Sequence, residues 1–141
     1  MAYISQDEKK ELAPQIKAVL KKYGMKGTIG INHYSSLVVN IKSGILDLIG
    51  AAQKHNDEYA LRRGQDSYPV GDNLQVNECY CEEWAREVGE DTIADFYKEL
   101  ITAMKGNGWY NNSDIMTDYF DYAYYLNINV GKWDKAYELT A

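Results

Sequence analysis

Three carboxylates stand close together late in the chain, Asp114, Asp118 and Asp121, with Asn112 and Ser113 beside them. On a helix, Asp114 and Asp118 lie four positions apart and share a face. Two carboxylates and an amide oxygen can hold a magnesium or calcium ion, or divide acid and base roles in a metal-assisted hydrolysis. A calcium loop needs denser oxygen ligands and a central glycine, and this segment has neither. The plainer account is that Ser113 or Asp114 caps a short helix over 114–120 while Asp118 is solvated. On that account no resident metal or other cofactor is expected.

A second set is amide-rich. Asn40, Tyr125, Asn127 and Asn129, with Asn32 and Lys42, fall on the polar phase of alternating segments. If those segments are neighbouring strands, their side chains form a surface able to hydrogen-bond a base, a sugar or a peptide edge. The plainer account is the solvent side of a sheet. This face ranks above the acidic set as a binding site.

Other candidates carry less. Lys9, Lys10, Lys17, Lys21 and Lys22 make a basic helix face, with Lys26 beyond. The order helix, three strands, helix is also that of double-stranded RNA-binding domains, which meet phosphate at the start of the second helix. Here that start reads Glu87, Glu90, Asp91 and Asp95, so nucleic acid is not an expected partner. His33 lies in a hairpin turn and His55 in a polar stretch, neither beside a nucleophile motif. Nucleotide-binding glycine loops, a nucleophile elbow and a His-Glu-x-x-His helix are all missing. Cys79 and Cys81 are one residue apart, too close for an unstrained disulfide, and read as reduced thiols.

The elements that position these residues can be read from their periods. Ser5 and Glu8 form a capping box for a helix whose stripe is Leu12, Ile16, Val19, Leu20 and Tyr23, with Gly24 as its stop. Pro14 inside it predicts a kink or a separate first turn. Thr28–Asn32 and Ser36–Lys42 alternate with period two across His33-Tyr34-Ser35, which predicts a hairpin. Residues 43–72 have weak periodicity, although 51–63 are helix-permissive between Gly50 and Gly64. Asn73–Asn77 is a third strand, and Glu82–Val88 one or two helical turns. Ile93, Phe96, Tyr97, Leu100, Ile101 and Met104 make an amphipathic helix ending at Gly106. Tyr122 to Val130 alternates as a half-buried strand, and Tyr137 with Leu139 adds a short edge. The fold expected is α+β: an antiparallel sheet of about four strands with two main helices on one face, in the order α-β-β-β-α-β.

A chain of 141 residues, 45% of them apolar, makes one domain with a real core. Eight of its 18 Phe, Trp and Tyr residues crowd between Trp109 and Trp133. No apolar run is long enough to span a membrane, and the first residues do not form a signal peptide, so a cytoplasmic setting is expected. The net charge of −6 hides a gradient, net +4 over residues 1–63 and net −10 over 64–141. Such asymmetry marks either two faces that attract each other on folding or a partner surface.

Several segments together have a familiar order. They are Ile16–Tyr23 with Lys26-Gly27-Thr28, then Leu37–Gly44, Asn73–Asn77, Asn112-Ser113-Asp114 followed by Asp118-Tyr119-Phe120, and Tyr125 leading to Gly131-Lys132-Trp133. The pattern resembles the twenty-ninth member of the large polyvalent protein-associated domain series, small α+β domains of phages and conjugative elements. Ala136 stands where that pattern has a proline. The resemblance implies a mobile-element setting and supplies no catalytic residues. The function expected is a non-enzymatic accessory that binds a host or phage protein, such as a defence component. The alternatives are a small-molecule or nucleotide binder on the polar sheet face and a hydrolase at Asp114 and Asp118.

Overall fold

The computed structural model describes residues 2–111 and 122–140. Helix α1 (Gln6–Lys22) starts where Ser5 Oγ accepts the Glu8 N–H at 3.1 Å. It runs unbroken through Pro14, which leaves the Lys10 carbonyl without its helical donor but does not split the element. Strands β1 (Met25–Asn32) and β2 (Ser36–Gly44) form the expected antiparallel hairpin. Its turn is closed by the Ser35 N–H on the Asn32 carbonyl at 3.3 Å. His33 and Tyr34 occupy the turn with φ of 53° and 48°. This mirror-image turn matches the twist of a hairpin, but it favours Asn and Gly. A larger side chain in the left-handed region costs roughly 1–2 kcal/mol.

Helix α2 (Leu48–Arg63) fills the stretch of weak periodicity. It buries only Leu48, Ala51 and Ala60, and its ends carry much of the definition. Asp47 accepts the Gly50 N–H at 2.9 Å, and Gly64 closes the far end in the left-handed conformation. Strand β3 (Leu74–Val76), helix α3 (Cys81–Glu87) and helix α4 (Asp91–Lys105) follow. Strand β4 (Tyr125–Val130) and the short β5 (Glu138–Leu139) complete the described elements.

The sheet runs β1-β2-β4-β3, with β5 against the end of β2. The α+β class stands as expected, but the sheet is mixed rather than wholly antiparallel: β4 and β5 both run parallel to β2. Alternation of apolar and polar residues reads the same in either strand direction, so it does not reveal polarity. The long connection through α2, β3, α3 and α4 returns the chain to the end where β2 began, as parallel pairing requires.

One face of the sheet is buried. Leu37, Val39 and Ile41 of β2 and Leu126, Ile128 and Val130 of β4 join Ile16 and Leu20 of α1 and Phe96, Leu100 and Met104 of α4 in a single cluster. Tyr23 meets Phe96 edge-on with ring centres 5.4 Å apart. Its hydroxyl donates to Glu99, which also takes Lys22 at 2.7 Å. Among the described residues, no helix is long and apolar enough to cross a membrane.

Candidate functional site

The opposite face of the sheet carries the amide residues. Parallel register sets Ser36 beside Tyr125, Val38 beside Asn127 and Asn40 beside Asn129. Thr28 lies next to Asn40 and Gln75 next to Asn129, so one polar row crosses all four main strands. The structure therefore brings Asn40, Tyr125, Asn127 and Asn129 together on one surface. Asn129 Nδ2 donates to Asn40 Oδ1 at 3.0 Å, so these two amides occupy part of each other's hydrogen-bonding capacity. The surface is a sheet face rather than a bowl. At one corner, Asn40 joins Lys42, Lys132 and Lys135 around a cleft of about 220 Å³.

Asn112, Ser113, Asp114, Asp118 and Asp121 fall outside the described residues, as does the helix expected over 114–120. Among the described residues, no group of three or more His, Cys, Asp and Glu side chains stands close enough to hold a metal ion. The lysine face of α1 is solvent-exposed, with Lys22 on Glu99. His55 stacks on Trp84 with ring centres 4.8 Å apart, and its Nε2 lies 3.5 Å from Glu87 Oε2. Both cysteines are free, Cys79 exposed and Cys81 buried. Burial pushes the Cys81 thiol up to about 12, well above the range in which a thiol is a ready nucleophile.

A feature that sequence periodicity does not single out is a tyrosine-rich end of the sheet. Backbone hydrogen bonds gather it: Tyr3 N to Ala123 O at 2.9 Å, Ile4 N to Tyr34 O at 2.9 Å, Tyr125 N to Ser35 O at 2.8 Å, and Ala123 N to Tyr110 O at 3.0 Å. Tyr3, Tyr34, Tyr110 and Tyr125 are respectively 56%, 68%, 43% and 44% exposed. The Tyr122 ring bridges toward Tyr125 at 5.3 Å and toward Trp109 at 6.1 Å. Trp109 is fixed by its Nε1–H on the Tyr124 carbonyl at 2.8 Å and by Lys105 Nζ, 4.6 Å from the centre of its ring. Tyr124 in turn donates to the carbonyls of Met104 at 2.5 Å and Lys105 at 2.9 Å. The exposed rings thus stand on a hydrogen-bonded backbone frame formed by four segments, around residues 3–4, 34–35, 109–110 and 122–125. Only the crowding of aromatics after Trp109 hints at this in the sequence. Tyr3 and Tyr34 join it through folding alone.

No protein-family model, no curated protein and no solved structure matches this chain.

Proposed function

We propose that the protein is a non-enzymatic accessory of a phage or related mobile element, and that it binds a host or phage protein through the tyrosine-rich end of its sheet. The observation that carries this reading is the set of exposed rings on a fixed backbone frame, Tyr3, Tyr34, Tyr110 and Tyr125. Tyrosine offers large, stiff contact area at low entropic cost, with a hydroxyl for hydrogen bonding, which is why it dominates protein-binding surfaces. The left-handed backbone at Tyr34 adds weight, because backbone strain concentrates where a side chain must be presented. The mobile-element setting rests on the order of segments that resembles the phage and conjugative-element domain. The acidic second half of the chain suits a basic partner.

The test is photo-crosslinking in the host cell. A photoreactive residue is placed at position 34, at position 125, and at exposed Lys17 of α1 as a control. One protein captured from both 34 and 125, and not from 17, supports the reading. Equal capture from all three, or none, removes it.

A second reading is a nucleotide or similar anion at the corner of the polar face. It is favoured by Lys42, Lys132 and Lys135 beside Asn40, three ammonium groups with no ion pair among the described residues. Calorimetric titration with ATP and with Lys132→Ala separates it from the first.

A further inference from the structure

A second concave feature lies away from the tyrosine-rich end, between α2, β3 and α3, with a volume of about 220 Å³. Its walls are mostly apolar, with His55, Asn56, Gln75 and Asn77 as the polar residues among them. Ala51 and Ala52 of α2 and Ala85 of α3 leave the gap, and Leu74 and Val76 of β3 line it. Trp84 closes one side, stacked between His55 and Tyr80 at 4.8 Å and 5.6 Å. Among the described residues, no carboxylate, ammonium or guanidinium group lines it.

Tyr97 of α4 also lines this cleft and is only 5% exposed. Three other tyrosines set into the body of the protein spend their hydroxyls: Tyr23 donates to Glu99, Tyr124 to Met104 and Lys105, and Tyr137 to Leu46. Tyr97 makes no side-chain hydrogen bond among the described residues. Yet no fully occluded side-chain oxygen or nitrogen there lacks a partner, so the Tyr97 hydroxyl is reached from the cleft. Burial pushes that hydroxyl well above the usual tyrosine range, which keeps it a donor at every physiological pH. A buried phenol normally finds an acceptor, and the described residues supply none here.

We infer that this cleft binds a small, uncharged, largely apolar molecule of about one aromatic ring, whose single polar oxygen accepts the Tyr97 hydroxyl. The volume suits a ring and its substituent. The apolar lining and the lack of a counter-charge disfavour an ion. The aromatic wall of Trp84 and His55 favours a flat occupant.

Phenol and toluene, alike in size and different in the hydroxyl, are the probes. Each is titrated against the full chain while amide resonances of Ala51, Val76 and Ala85 are followed by NMR. Both probes should shift these resonances, with phenol binding about fivefold tighter, the worth of one hydrogen bond. In Tyr97→Phe the phenol advantage should vanish while toluene still binds. In Ala85→Leu, which fills the gap, neither probe should bind. Tyr97→Phe preserves the ring and its packing, so its result stands even where Ala85→Leu fails to fold. Absence of any shift in the unaltered protein, or a phenol advantage that survives in Tyr97→Phe, overturns the inference.

Discussion

Asn129 on β4 hydrogen-bonds Asn40 on β2 across a parallel strand pair, at 3.0 Å and 89 positions apart in the chain. Both side chains are half-buried, so the bond lies in a region where losing one partner leaves the other amide poorly solvated. Asn129→Ala should cost about 1 kcal/mol in chemical denaturation, and the double change with Asn40→Ala should cost less than the sum of the single changes. Strict additivity would mean that the two amides do not depend on each other and are open to a ligand.

The hairpin turn sets presentation against stability. His33 and Tyr34 both hold positive φ without being glycine. Tyr34→Gly should therefore raise stability by roughly 0.5–1 kcal/mol, read as a higher denaturant midpoint, while weakening partner capture at the tyrosine-rich end. A loss of stability would show that the Tyr34 ring contributes to packing despite its exposure.

Alkaline behaviour follows from four raised tyrosines, buried Tyr97 among them. The hydrogen bond to Glu99 moves Tyr23 up to about 12, and burial moves Tyr124 and Tyr137 up to about 12. In the unfolded chain a tyrosine titrates near 10. Since the folded values are raised, the stabilisation is complete below pH 10 and is lost as pH climbs from about 10 toward 12. The raised Cys81 thiol begins the loss earlier, because an unfolded cysteine titrates near 8.5, so melting temperature should decline gently above about pH 8.5 and steeply above about pH 10. In Tyr23→Phe the fall should be shallower. A profile still flat at pH 11.5 would contradict the raised values.

The two thiols should separate cleanly. Cys79 is exposed and Cys81 is buried, with its thiol pushed up to about 12. With a thiol reagent at pH 8, one group should label within minutes and the second only as α3 opens or the chain unfolds. Two equal fast phases would show that α3 is open in solution.

Much of the frame was legible in the sequence, because amphipathic period and turn chemistry agree there. The hairpin from Met25 to Gly44 and the helix Asp91–Lys105 follow stripes that end at Gly106 or at the His33-Tyr34 turn. Helix α2 was legible only in part: residues 51–63 read as helix-permissive, but nothing in their periodicity required a helix or placed its start at Leu48. Most of its residues are polar, and its definition comes from Asp47 and Gly64 at its ends. The parallel sense of β4 was hidden because apolar–polar alternation is the same in either strand direction. The amides of the sheet face were found, since alternation places them. The cleft at Tyr97 was not, because Tyr97 reads as one more core position on the α4 stripe, while His55 and Cys81 look unremarkable in isolation. Only packing shows that three alanines leave a space and that one hydroxyl opens into it.

Strand β2 has β1, β4 and β5 as neighbours, and this has a consequence for how the protein is made. While a ribosome is still synthesising residues 45–124, α1 and the hairpin exist with the apolar side of β2 open along the seam that β4 will occupy. Chain growth of ~5–20 residues per second makes that interval several seconds, and pairing so distant in sequence is intrinsically slow to form. The nascent chain therefore carries an open β2 edge for more than half of its synthesis, which makes it a natural client of ribosome-associated chaperones.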